Sequence, residues 1–279
     1  MAKSTIEIKT APQIELMRRA GLVVADGLAA MSAAAVAGTS TADLDAIGRE
    51  VLRAAGASSS FLGYHGYPAV ICASVNERIV HGIPAQREVL REGDLISIDF
   101  GAIVEGWHGD AAVTVAIGAV SPEAAGLSTA CERALWDGLA AVRVGARLSD
   151  ISHAVETSVH AGRSTPRYGI VTGYGGHGIG TSMHMDPHVL NYGRPGRGPR
   201  LETGMALAIE PMLTAGSHAT RELDDGWTVV TVDGSLAAHW EHTVAILADG
   251  PWVLTAHDGG RAQLGARGVT LSALAALAA

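Results

Sequence analysis

Residues 95–116, LISIDFGAIVEGWHGDAAVTVA, place two carboxylates where a packed strand ordinarily carries none. An apolar run, a turn at Val104-Glu105-Gly106 and a β-branched run over 111–117 spell a hairpin. With the turn centred near Glu105, Asp99 and Asp110 are predicted to fall within about a residue of facing each other, roughly 5 Å apart. Two bare anions so placed repel, and they need a shared proton, a neighbouring cation or a metal. The hairpin alone supports equally well a strand-ending Asp and a turn-capping Asp.

An internal repeat extends the pair to four. Asp137-Gly138-Leu139-Ala140-Ala141 repeats Asp26-Gly27-Leu28-Ala29-Ala30, and LETGMALAIE at 201–210 aligns with LREGDLISID at 90–99. The offset is 111 residues throughout: 26 to 137, 93 to 204, 99 to 210. Gly145 to Asp150-Ile151 also keeps the spacing of Gly38 to Asp43-Leu44. A matched order of helix, helix, Gly-rich loop, strand and acid marks a duplicated unit. Glu210 then takes the place of Asp99, and Glu241, heading EHTVAI, that of Asp110. Two hairpins related by an approximate twofold would gather four carboxylates, a set that suits a pair of divalent ions.

A nitrogen ligand is offered by Gly175-Gly176-His177-Gly178-Ile179-Gly180, where the glycines allow close backbone approach. That run lacks the Lys-Ser/Thr of a P-loop and fails the dinucleotide fingerprint. His81 and His184 lie in polar turns and are read as catalytic candidates. His65, His108, His188 and His242 are read as structural. Phe61, Tyr64, Tyr67, Met183 and Trp227 flank the polar candidates and are expected to wall a pocket.

The elements that must position these groups follow from periodicity. Helices are predicted over 12–35 and after Gly38, the second capped by Thr41 or Asp43, with a strand over 70–75 before the hairpin. The order restarts after Pro122, an extra hairpin carries Trp227, Val229 and Val230, and a last strand covers 252–255. The expected fold is α+β, in two pseudo-twofold halves of about 12–120 and 122–255. They form one domain over 1–257, followed by a tail at 258–279 that could hold a short surface helix.

With 279 residues, 48% hydrophobic and 17% charged, the chain has the balance of a globular protein. A net charge of −8 argues against a nucleic-acid footprint. Cys72 and Cys131 are too few for a disulfide framework and are expected as reduced thiols. MAKSTIEIKT has no apolar core of a signal peptide, and no later run is suited to span a bilayer, so a cytoplasmic location is expected.

FLGYHGYP at 61–68, VNERIVHGIP at 75–84, SIDFGAIVEGWHGD at 97–110, GHGIG and MHMDP within 176–187, AIEPM at 208–212 and WEHT at 240–243 together resemble the bacterial-style type I methionine aminopeptidases of the pita-bread metallopeptidase family. The motifs occur in that family's order and span most of the chain. The resemblance implies an antiparallel sheet covered by helices, with five metal ligands at Asp99, Asp110, His177, Glu210 and Glu241. It implies two divalent ions, cobalt, manganese or iron, and hydrolysis that removes the initiator methionine when the next residue is small. Glu210 would shuttle the proton, His184 would bond the peptide carbonyl and His81 would assist at the scissile nitrogen. The methionine side chain would enter a pocket of Phe61, Tyr64, Tyr67, Cys72, Met183 and Trp227. Phe61 stands where many bacterial members carry a small residue such as Cys, which bears on pocket size.

The expected substrate is the nascent polypeptide N-terminus near the ribosome, met by a monomer with no nucleic-acid or membrane partner. The rival readings are an X-Pro aminopeptidase or prolidase, which usually carries an added N-terminal domain, and a metal-free binding protein of the same fold.

Overall fold

The structure, a computed structural model, describes residues 6–161 and 168–277. The first half runs α1 (Ala11–Ala34), α2 (Thr41–Ala55), β1 (Ser58–Ser59), β2 (Ile71–Val75), β3 (Arg78–Val80), β4 (Leu95–Val104) and β5 (Trp107–Ala116). The second runs α3 (Pro122–Ala140), α4 (Leu148–His160), β6 (Gly169–Ile170), β7 (Gly176–Gly178), β8 (Met185–Val189), β9 (Ala206–Ile209) and β10 (Met212–Thr214). It continues through β11 (Thr220–Glu222), β12 (Val229–Thr231), β13 (Ala237–His239), β14 (Glu241–Leu247) and β15 (Gly250–Val253). Helices α5 (Arg261–Ala266) and α6 (Ala273–Leu277) follow.

Local chemistry sets the helix starts. The Gln13 side chain accepts the Thr10 N–H at 2.8 Å ahead of α1, which has Pro12 in its first turn. The cap of α2 is Ser40, not Thr41 or Asp43. Ser40 Oγ accepts the Asp43 N–H at 3.2 Å, and the Asp43 carboxylate accepts the Ser40 N–H at 2.9 Å. Asp43 is the returning member of a capping box, three residues inside the helix.

The main sheet has nine strands among the described residues, in the order β1-β4-β5-β14-β9-β7-β8, with β2 also on β4 and β15 also on β14. Its pairings are antiparallel, and the halves meet at β5 and β14, so β4 answers β9 and β5 answers β14. Three-stranded sheets β13-β10-β6 and β11-β12-β3 flank it.

Helices cover one face. Val24, Leu28, Met31 and Leu44 bury against Ile71, Ile96, Ile98 and Phe100, while Leu135, Leu139 and Ile151 do so against Leu207, Ile209, Val244 and Ile246. Each such side chain contributes roughly 1.5–3 kcal/mol by leaving water. At Gly27 an added Cβ would lie 2.3 Å from the Phe100 ring, so only glycine lets α1 sit this close to β4. The alternation that buries Ile98, Phe100 and Ala102 under the helices turns Ser97, Asp99 and Gly101 to the opposite face. Beyond β15, Leu264 of α5 packs in the second-half core, and Ala275 of α6 joins the cluster around Trp252. Among the described residues no helix is long and apolar enough to cross a membrane.

Candidate metal centre and substrate pocket

Sheet register builds the site. The turn at Glu105 and Gly106, both at positive φ, pairs Asp99 with Ala112 and Asp110 with Gly101. Asp99 and Asp110 are therefore diagonal neighbours, not within a residue of facing. The turn centre lies between Glu105 and Gly106, half a residue later than a centre on Glu105, and this moves each pairing by one and sets the two acids two positions apart. Across the seam Ala112 pairs with Glu241, so one row reads Asp99, Ala112, Glu241. The next row reads Gly101, Asp110, then Thr243, whose hydroxyl bonds the Asp110 backbone, then Ala208 and His177. Small side chains separate the acids, which leaves space over the sheet between them.

His177 sits in that row because its neighbours are glycines. A Cβ at Gly176 would lie 2.2 Å from the Ala208 carbonyl oxygen, and one at Gly178 2.2 Å from that of Asp186. His177 Nδ1 donates to the Gly178 carbonyl at 3.0 Å, which leaves Nε2 with its lone pair directed into the site. Nε2 is 3.5 Å from Glu210 Oε1.

The carboxylates are buried without compensating charge. Asp110 and Glu241 are 4% and 2% exposed, and no Lys or Arg lines the cavity they share. Burial, then the charges of Asp110 and Glu210, push the Asp99 carboxyl well above its ordinary range. Burial, then Glu210, push Asp110 up to about 8, and burial with Asp110, Glu210 and Asp99 raises Glu241 strongly. Burial also pushes Glu210 up, but the His239 Nε2 aimed at it and its electrostatic interaction with the His177, His239 and His184 imidazoles hold it below the usual value. Asp99 Oδ1, Asp110 Oδ1 and Glu241 Oε1 are buried with no hydrogen-bond partner. Unpaired buried oxygens of this kind are strongly unfavourable until a cation meets them. Donor atoms of Asp110, His177 and Glu241 all lie within 4.8 Å of one another. The donor set fits a divalent metal.

All thirteen candidate residues line one cavity of about 170 Å³: Phe61, Tyr64, Tyr67, Cys72, His81, Asp99, Asp110, His177, Met183, His184, Glu210, Trp227 and Glu241, joined by Val80 and His239. Cys72 pairs directly with Asp99, and burial raises its thiol well above the ordinary value. The Tyr67 hydroxyl is 3.0 Å from the carbonyls of Ile71 and Gly82, so its hydrogen is directed to backbone and its ring packs at 5.0 Å on Trp227. An adjoining open groove of about 530 Å³ shares His81, His177, His184 and Glu210 and runs out past Tyr174, Asp186 and His188.

Two imidazoles face the acids from the pocket side. Burial lowers His184 to about 4 and lowers His81 as well, so His184 is neutral at pH 7. His184 Nδ1 lies 2.8 Å from the Tyr64 hydroxyl, and its ring meets that of His177 edge-on at 4.4 Å. A Tyr64 O–H that donates to Nδ1 would leave the His184 proton on Nε2. His239 is a site residue that the sequence motifs do not mark. It precedes Glu241 by two, the spacing that puts both on one face of extended chain, and that was the available signal.

Residues 15–248 match metallopeptidase family M24. The chain belongs to this family. It is 57% identical over 252 residues to methionine aminopeptidase 1 of Mycobacterium tuberculosis, covering 88% of this chain and 94% of that protein. It is 50% identical over 250 residues to the methionine aminopeptidase of Clostridium acetobutylicum, covering 90% and 98%. The crystal structure of methionine aminopeptidase from Thermotoga maritima superposes with a TM-score of 0.87 at 39% identity, over 90% of this chain and 99% of that one. The prolidase of Pyrococcus furiosus, at 19% identity and a TM-score of 0.69, shares the fold over 89% of this chain but only 65% of its own. Membership in M24 accounts for the two-halved pita-bread sheet and for a buried acid cluster with one histidine.

Proposed function

We propose that this chain is a metalloaminopeptidase that removes the initiator methionine from nascent polypeptides whose second residue is small. The observation that carries the reading is the row of buried, unpaired carboxylates opening directly into a pocket walled by Phe61, Tyr67, Met183 and Trp227. Relatives named methionine aminopeptidase match over nearly their whole length, whereas prolidases carry about a third more chain.

Asp99, Asp110, His177, Glu210 and Glu241 would hold two divalent ions of the cobalt, manganese or iron class. Such ions, when bound, polarise a carbonyl and make water acidic enough to attack at neutral pH. The chain's own groups do the rest. Glu210, kept ionised at the cavity floor, accepts the proton of the attacking water and returns it to the leaving nitrogen. His184, neutral with its proton on Nε2, donates to the scissile carbonyl oxygen as charge develops there. His81, held between Tyr174 and Trp227, faces the scissile nitrogen. Phe61, Tyr64, Tyr67, Cys72, Met183 and Trp227 enclose the methionine side chain. Their cavity is below the roughly 300–1,000 Å³ of drug-sized sites, a fit to one side chain with the peptide leaving along the open groove.

The same reading places the protein in the cytoplasm as a monomer acting near the ribosome. Its net charge of −8 favours no nucleic-acid partner.

The test is release of Met from Met-Ala-Ser by purified protein with Mn(II) or Co(II), abolished by EDTA and restored by the ion. Hydrolysis of Gly-Pro with no action on Met-Ala-Ser would overturn the assignment in favour of a prolidase.

A further inference from the structure

We propose that His239 is a positioning residue that holds the Glu210 carboxylate through its Oε2. The inference rests on the reading of Glu210 as the proton-moving group. His239 closes β13, is 2% exposed, and its Nε2 is a buried atom with no hydrogen-bond partner. That atom lies 3.6 Å from Glu210 Oε2, while His177 Nε2 lies 3.5 Å from Oε1. The carboxylate thus stands between two imidazole nitrogens, one to each oxygen.

The surroundings fix the His239 main chain and bury its ring against Glu210. The His239 N–H is directed at Ser97 Oγ and Thr114 Oγ1, at 3.2 and 3.0 Å, and its carbonyl accepts from Thr114 Oγ1 at 2.8 Å. Both hydroxyls belong to the buried hairpin that carries Asp99 and Asp110. Among the described residues, Glu210 accepts a hydrogen bond at its main chain, where Asn191 Nδ2 donates to its carbonyl at 3.0 Å. With no Lys or Arg lining the cavity, His239 is the donor within reach of Oε2.

His239 Nε2 faces Glu210 Oε2, apart from the Asp110, His177 and Glu241 group whose donor atoms converge. A carboxylate that both meets an ion and moves a proton needs its plane fixed. An Nε2–H at Oε2 does that from the side opposite His177. The 3.6 Å separation is just beyond hydrogen-bond length, and contacts of this kind commonly tighten in the loaded state.

The experiment compares H239L, H239Q and H239N with wild type and E210Q. It measures kcat and KM on Met-Ala-Ser, and the affinity of the metal-stripped protein for Mn(II) by titration calorimetry. A Gln amide nitrogen reaches the Nε2 position, whereas that of Asn reaches only Nδ1. H239L is expected to lower kcat about 10–100-fold with KM within about threefold, and to weaken Mn(II) binding about tenfold. H239Q should recover most of both losses and H239N neither. Wild-type kcat and Mn(II) affinity in H239L, or H239Q no better than H239N, would overturn the proposal. Should H239L not fold, the Gln and Asn pair decides alone. Undiminished turnover in E210Q would instead defeat the reading of Glu210 itself, whereas inactive E210Q beside a wild-type-like H239L defeats only the role of His239.

Discussion

Thr243 of β14 grips Asp110 of β5 by both of its main-chain groups. Its hydroxyl accepts the Asp110 N–H at 3.1 Å and donates to the Asp110 carbonyl at 2.8 Å, across the seam between the halves. Thr243→Val keeps the shape but leaves that buried N–H and C=O unpaired. The expected cost is about 1–3 kcal/mol in stability. Thermal melts with and without Mn(II) would measure it, and an unchanged melting temperature would remove the stitching role.

Tyr64→Phe keeps the pocket ring and deletes the hydroxyl that lies 2.8 Å from His184 Nδ1. With the tautomer no longer fixed, kcat on Met-Ala-Ser is expected to fall about tenfold while KM stays within about threefold. Steady-state kinetics decide it. A rise in KM alone would mean that Tyr64 serves only as wall.

Asp110 is raised to about 8, chiefly by burial and then by the Glu210 charge. In metal-free protein the folded state therefore holds a proton that the unfolded chain releases above about pH 4, so stability falls as pH rises from about 4 to 8. Asp110→Asn removes that penalty. In EDTA at pH 7 it is expected to be more stable than wild type by roughly 2–4 kcal/mol. With saturating Mn(II) the order reverses, because the variant has lost a ligand. Urea unfolding under both conditions checks the reversal.

Lys9, 5% exposed beside the loop that carries His177 and His184, is lowered from its usual value to about 8, by burial opposed by the Glu7 charge. Its unfolded form keeps the proton up to about 10.5, so the unfolded state binds more protons between about 8 and 10.5 and stability rises with pH there. The burial penalty is fully present below about pH 8. Lys9→Met should flatten this rise, which amounts to about 3 kcal/mol at most. Parallel slopes for both proteins in denaturant titrations at pH 8 and 10 would refute it.

The sequence made the acids legible for a physical reason. Side-chain alternation and a duplicated order of elements are local properties, so Asp99, Asp110, Glu210 and Glu241 could be placed from spacing, and His177 from the glycines around it. What stayed hidden depends on contacts between distant residues. The diagonal offset of Asp99 and Asp110 follows from which residues occupy a two-residue turn. His239 is fixed by Ser97 and Thr114, 142 and 125 positions earlier, and Thr243 by Asp110, 133 positions earlier. Cys72 came from the motif resemblance alone, and its place opposite Asp99 is a matter of strand pairing. The Ser40 cap was missed because Thr41, Asp43 and Ser40 all have capping chemistry, and only backbone geometry separates them.

The pairing of β5 with β14 also bears on the order in which the molecule assembles. Asp110 and Glu241 are 131 positions apart, and contacts of such long sequence separation close late in folding, after the hairpin β4–β5 and the helices that cover it. The ion-binding geometry comes into being only with that closing step, so an ion gains most of its contacts after the transition state. Loading the centre is therefore expected to slow unfolding while leaving the refolding rate nearly unchanged, making the metal a brake on opening and not a nucleus for collapse.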